Sequence, residues 1–191
     1  MIIGITGGIA CGKSTVSNYL TLKGYFVSDA DLIVRKLWEK DSFRLLLEKE
    51  LKITLPKNNY KKYVSNLIFN DSDKRQKINN LIHPLVKKEM IKEVNASQDK
   101  IKFIDVPLLF EANFDLLCDY TLVVACSKEI QIKRLIKRNN ITKQEAIKMI
   151  ESQMSQEEKV QKASFVVYND SDSLEDLYYK IDQLIKKVEA L

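Results

Sequence analysis

The chain has 191 residues, 45% of them hydrophobic, and a formal charge of +5 at pH 7. A chain of this length buries about 70% of its unfolded surface in one compact domain, and its longest apolar runs, VPLLF and TLVVAC, fall far short of the roughly 20 residues that span a bilayer. A soluble, cytoplasmic protein with no membrane partner is expected, and because Lys and Glu alternate as in KKEMIKE, the positive charge reads as solvated helix faces, not as a basic block for nucleic acid.

The elements alternate. MIIGIT at the start has the length and apolar character of a strand, residues 13–23 read as helical, and YFVS at 25–28 is a second strand ending at Asp29. Helical patterns follow at 31–39, 42–51, 60–69, 72–82 and 84–95, the last opening on the His83-Pro84 pair, a good helix start. IKFIDV (101–106), TLVVAC (121–126) and SFVVY (164–168) have the unbroken apolar character of strands covered on both faces, with helices expected at 128–139, 143–153 and 173–190. This predicts an α/β fold with a mostly parallel five-stranded sheet flanked by helices. The strandless interval from 31 to 100 exceeds what a crossover needs, so part of it is expected to form an inserted helical lobe within one domain spanning 1–191. Three cysteines without CxxC spacing argue against a disulfide framework or a zinc site, and the single histidine, His83, excludes a multi-histidine metal centre.

Gly7, four residues, then Gly12-Lys13-Ser14 match G-x-x-x-x-G-K-[ST], placed after a predicted strand and opening a predicted helix, as a P-loop requires. The backbone of Gly8, Ile9, Ala10, Cys11 and Gly12 is expected to curl around a polyphosphate, with Thr15 at the helix start, Lys13 reaching the β/γ-phosphates of ATP and Ser14 offering a hydroxyl to Mg²⁺. All five glycines lie in the first 24 residues, so no DxxG switch or LSGGQ signature occurs downstream. GTPase and transporter-ATPase readings thereby weaken, and a small-molecule kinase is favoured.

Asp29 and Asp31 stand where the second strand ends, at the carboxyl edge where such sheets bind ligands. One carboxylate there is positioned to orient or deprotonate a hydroxyl nucleophile; the competing role for either is a helix cap. Asp105, closing the strand IKFID, reads either as a carboxylate holding Mg²⁺ through water or as an ordinary strand-end turn.

With these residues assembled, the chain resembles the dephospho-CoA kinase family. GITGGIACGKST, the DAD at 29–31, LIHPLV at 81–86, DVPLLFE at 105–111 and QMSQEEKVQKASFVVYN at 153–169 match that family in order, over nearly the full length. The resemblance implies a P-loop core (1–30, 101–133 and 161–191), a helical CoA-binding part at about 31–100, and a helical lid at about 134–160. It implies transfer of the ATP γ-phosphate to the 3′-hydroxyl of dephospho-CoA, with Asp31 as base, and it places His83 at the acceptor site and Asn169 at the nucleotide. Cys11 stands where the family usually carries Ser, Thr or Gly.

In EIQIKRLIKRNN, Ile132, Leu135 and Ile136 read as the buried stripe, with Arg134 and Arg138 four apart on another face. Arg138 is the preferred candidate for a lid residue that clamps the transferring phosphoryl group. Cys11, near Lys13 and a helix N-terminus, is expected to carry thiolate character, to be the most readily alkylated cysteine, and to be protected by MgATP. A P-loop kinase for a nucleoside or another small metabolite, and a regulatory protein that uses nucleotide as a switch, stand as alternatives.

Overall fold

The apolar runs form one sheet with strand order β2-β3-β1-β4-β5, built from β1 (Ile2–Gly7), β2 (Phe26–Asp29), β3 (Lys102–Asp105), β4 (Tyr120–Ala125) and β5 (Phe165–Tyr168). The structure is a computed structural model that describes residues 1–68 and 71–191. The β1–β3, β1–β4 and β4–β5 pairings are parallel, with Ile5 opposite Asp105 on one side and Leu122 on the other. Parallel strands carry helices on both faces, which is why Ile3, Ile5, Leu122, Val123 and Val124 are all fully buried.

Around the sheet run α1 (Lys13–Leu22), α6 (Lys128–Asn139), α7 (Lys143–Glu151), α8 (Gln156–Lys162) and α9 (Leu174–Glu189). The buried residues of α9, Leu177, Ile181, Leu184, Ile185 and Val188, recur at the spacing of a helix face and meet Val16 and Leu20 of α1 in the same core cluster. Two capping boxes set helix starts: Thr142 with Glu145 begins α7, and Ser155 with Glu158 begins α8. The α8 helix is not among the elements expected from periodicity; its seven residues are too few for a helical repeat to register.

The described residues fall into two compact units, Met1–Ser28 with Ala96–Leu191, and Asp29–Asn95. The second contains α2 (Ala30–Trp38), α3 (Asp41–Leu51), α4 (Tyr60–Ile68) and most of α5 (Ser72–Ala96). Residue 69 of the expected 60–69 helix lies outside the described residues. In this unit Trp38 meets Phe43 edge-on at 5.1 Å and its carbonyl accepts the Tyr60 hydroxyl, while Arg44, 7% exposed, bonds to Asp41 and Glu48 at 2.7 Å each.

One expectation is corrected here: 72–82 and 84–95 are not two helices, and Pro84 does not start one, because α5 runs through it. A proline inside a helix removes a hydrogen bond and costs about 3 kcal/mol. Ile78, Ile82, Val86, Met90 and Val94 are all buried at four-residue spacing across the proline, and burial of that size, about 1.5–3 kcal/mol per side chain, outweighs the break. Among the described residues no helix is long and apolar enough to cross a membrane.

Candidate active site

The turn between β1 and α1 takes its shape from two left-handed residues. Gly12 caps α1 at φ 96°, and Ala10 adopts φ 63° without a glycine's freedom, so the surrounding loop must hold it there. The Cys11 N–H donates to the Gly8 carbonyl at 3.1 Å, and the Thr15 and Val16 N–H groups donate to Gly12. The result is a backbone concavity at a helix N-terminus, which favours anions. Ala10, Gly12 and Thr15 line a cleft together with Arg134, Asn169 and Ser171.

Lys13, the first residue of α1, is ion-paired with Asp105 at the end of β3. Asp105 is 3% exposed, and its second oxygen accepts the Ser17 hydroxyl at 2.6 Å. Strand register explains the meeting: β1 and β3 are adjacent and parallel, so the end of β3 lies beside the strand that leads into the P-loop. Ser14 is exposed in the first turn of α1.

The expected acidic pair divides its roles. Asp29 is the N-cap of α2, its carboxylate accepting the Asp31 N–H at 2.8 Å and the Leu32 N–H at 3.1 Å, whereas Asp31 is exposed in the first turn. His83 is half-buried within α5, and burial followed by the charge of Lys87 holds its imidazole below the ordinary histidine value. Asp31 and His83, the two residues expected at an acceptor site, both belong to the unit Asp29–Asn95.

The two arginines of α6 differ in surroundings. Arg134 donates to the Asn169 carbonyl at 3.1 Å and the Ser171 carbonyl at 3.0 Å, and lines the P-loop cleft. Arg138 is exposed and its Nε donates to Asn139 Oδ1 at 2.9 Å. Asn169 is buried, and its Nδ2 donates to the Cys11 carbonyl at 2.9 Å.

Cys11 requires a correction. Its side chain is fully buried, 3.2 Å from Gln156 Oε1 and 3.1 Å from the Cys126 sulfur, and the hydrogen bond with Cys126 followed by burial pushes its thiol far above the ordinary cysteine range. The loop amides engage its backbone while its sulfur points into protein. Burial and the Cys126 contact disfavour a thiolate at Cys11, and the half-buried Cys118 is also pushed up, to about 12, by burial and by Asp115 and Asp119. Brief iodoacetamide treatment at pH 7.5 followed by peptide mass mapping is therefore expected to label Cys118 first and Cys11 only on unfolding. Faster labelling of Cys11, lessened by MgATP, would restore the reactive-thiolate reading.

Sequence reasoning passed over three residues that tie this region together. Gln131 of α6 is 3% exposed and donates to the Ile9 carbonyl at 3.0 Å. Gln156 accepts the Cys126 N–H at 2.9 Å. Lys159, fully buried, donates to the Pro107 carbonyl at 3.1 Å and pairs with Glu111 at 3.0 Å, bracing the loop that follows Asp105. The signals in the sequence were a polar residue one turn before Leu135, the S-x-x-E pattern opening α8, and the 153–169 stretch, which contains Gln156 and Lys159.

Comparison with known proteins places this geometry. The family model for dephospho-CoA kinase matches residues 1–175. The chain belongs to the dephospho-CoA kinase family. A dephospho-CoA kinase from Fusobacterium nucleatum is 42% identical over 196 residues, covering 98% of each chain. The solved dephospho-CoA kinase from Campylobacter jejuni superposes with a TM-score of 0.74 at 26% identity, over 98% of this chain and 96% of that one. A shikimate kinase from Bacteroides thetaiotaomicron, at 13% identity and TM-score 0.56, shares the fold alone.

Proposed function

We propose that this chain transfers the γ-phosphoryl group of ATP to the 3′-hydroxyl of dephospho-CoA, giving coenzyme A and ADP, the last step of coenzyme A synthesis, in the cytoplasm. The observation that carries this reading is the family match over residues 1–175 on a chain whose P-loop lysine is paired with the strand-end carboxylate Asp105. In this reading the amides of residues 8–15 and Lys13 hold the phosphates of ATP, and Asn169 lies at the nucleotide cleft. Asp31 takes the proton of the acceptor hydroxyl, whose oxygen forms a bond to the γ-phosphorus as the bond to the β–γ bridging oxygen breaks and ADP leaves. Residues 31–100, with His83, bind the acceptor, and 134–160 serve as the lid.

A magnesium ion would be held by the exposed Ser14 hydroxyl and, through water, by the Asp105 carboxylate, whose two oxygens meet Lys13 and Ser17 in this structure. Among the described residues no group of three or more His, Cys, Asp or Glu side chains could hold a metal ion. When bound, the magnesium ion neutralises charge on the β- and γ-phosphate oxygens.

The deciding experiment is ADP release, coupled to a spectroscopic readout, with dephospho-CoA, deoxyadenosine, shikimate or no acceptor. Turnover that depends on dephospho-CoA is expected. Equal turnover with deoxyadenosine or shikimate, or nucleotide binding with no acceptor-dependent turnover, would select one of the alternatives. Within this reading Arg138→Ala is expected to lower kcat by about 10² with the ATP KM within threefold, because a lid cation acts most on the transition state. Arg134→Ala, removing a wall of the cleft, is expected to raise the ATP KM instead. Steady-state kinetics with ATP varied separates the two; a pure KM effect at Arg138 would remove its assignment to the transferring group.

A further inference from the structure

We propose that Gln131 is a positioning residue for the phosphate-binding loop, holding the Ile9 carbonyl outward so that the Ala10 N–H is directed to the opposite side, and thereby setting nucleotide affinity. The inference deepens the nucleotide-binding reading above and rests on it.

Gln131 is the fourth residue of α6 and lies on the buried face with Leu135, one turn further on and fully buried. A carboxamide on such a face must find partners within the protein. It finds one in the loop, Nε2 donating to the Ile9 carbonyl at 3.0 Å. The fit is steric as well: a Cβ on Gly8 would collide with the same nitrogen, so the loop approaches the carboxamide at two consecutive residues.

Peptide geometry carries the effect through. In a trans peptide the C=O and N–H point in opposite directions. Pinning the Ile9 carbonyl against the Gln131 carboxamide therefore aims the Ala10 N–H away from that carboxamide, and Ala10 is one of the residues lining the cleft. The left-handed conformation of Ala10 is uncommon for a residue with a side chain, so its orientation depends on the neighbours that hold it. The arrangement repeats two residues on. Asn169 Nδ2, from the loop after β5, donates to the Cys11 carbonyl, which aims the Gly12 N–H the other way. Two carboxamides from different elements thus restrain alternate carbonyls of the loop, leaving the intervening N–H groups pre-aimed for an anion. The Gln131 side chain is almost fully buried, so removing its donor takes away a hydrogen bond made inside the protein.

The test uses Gln131→Met, similar in size but without a donor, and Gln131→Glu, which sets a carboxylate against the carbonyl oxygen. ADP binding is titrated calorimetrically, and steady-state constants are measured for ATP and dephospho-CoA. The ADP Kd and ATP KM are each expected to rise about tenfold, with the dephospho-CoA KM within twofold. A purely structural role would lower the melting temperature and the active fraction while leaving nucleotide constants alone. Nucleotide constants within twofold of the parent in either folded variant overturn the inference, and so does failure of both variants to fold, since Gln131 would then serve stability. Absence of ADP binding to the parent protein would instead remove the nucleotide reading itself, which keeps the two failures distinct.

Discussion

Asp31→Asn is expected to lower the rate of phosphoryl transfer to dephospho-CoA by about 10²–10⁴, the usual worth of general-base assistance, or roughly 3–5 kcal/mol of barrier. Fold and MgATP affinity are expected to stay close to the parent, and the division of labour at the start of α2 is the reason. The capping hydrogen bonds are made by the Asp29 carboxylate, to the N–H groups of residues 31 and 32, so asparagine at 31 leaves both in place. The exposed Asp31 places a favourable charge in the first turn of α2, an effect of about 0.3–1 kcal/mol. In a chain of this size that corresponds to a few degrees of melting temperature, at about 2–4 °C per kcal/mol. Asp29→Ala is the contrasting variant, expected to lose about 1 kcal/mol of stability with its cap. Acceptor-dependent ADP release and thermal melting measured on both proteins provide the check. If Asp31→Asn turns over within threefold of the parent, Asp31 is not the base.

Lys13→Met is expected to reduce kcat/KM for ATP by at least about 10³, through loss of the charge that meets the β/γ-phosphates, and to destabilise the protein as well. The second effect follows from the ion pair with Asp105. Both side chains are largely withdrawn from water, at 14% and 4% exposure, and methionine would leave the carboxylate facing the Ser17 hydroxyl without its cation. Breaking a buried pair from one side costs about 3–5 kcal/mol, whereas removing both charges is often neutral. The double variant Lys13→Met with Asp105→Asn is therefore expected to regain most of the lost melting temperature, since asparagine still accepts the Ser17 hydroxyl, while remaining inactive. Recovery of activity along with stability would falsify the assignment of Lys13 to the phosphates and reduce it to a structural cation. Thermal melting and ATP-dependent kinetics on the parent, single and double variants separate these outcomes.

Much of the architecture is legible in local sequence. The five strands lie within a residue or two of the apolar runs that predict them, because strands buried on both faces need continuous hydrophobicity, and α1 begins at Lys13, where the glycine-rich turn ends. The phosphate-loop motif is similarly local: glycines, lysine and hydroxyl act at fixed spacing within one turn, and a short-range pattern can encode that. Other features depend on partners distant in the chain. Whether Pro84 starts a helix or sits inside one turns on the apolar face of α5 packing continuously from Ile78 to Val94, a packing energy the proline's own neighbourhood does not reveal. Cys11 looks exposed and activated beside Lys13 in sequence, yet Cys126 and Gln156, more than 100 residues away, contact its sulfur, and the Cys126 hydrogen bond with burial disfavours its ionisation. Gln131 and Lys159 look like ordinary polar helix residues until the fold brings a loop carbonyl to each. The sequence alone determined the strands, the P-loop and the family motifs, because hydrophobic periodicity and turn chemistry are short-range. Only the tertiary structure decided which polar side chains are buried, since a buried hydrogen bond needs a donor and an acceptor that chain separation keeps from being read together.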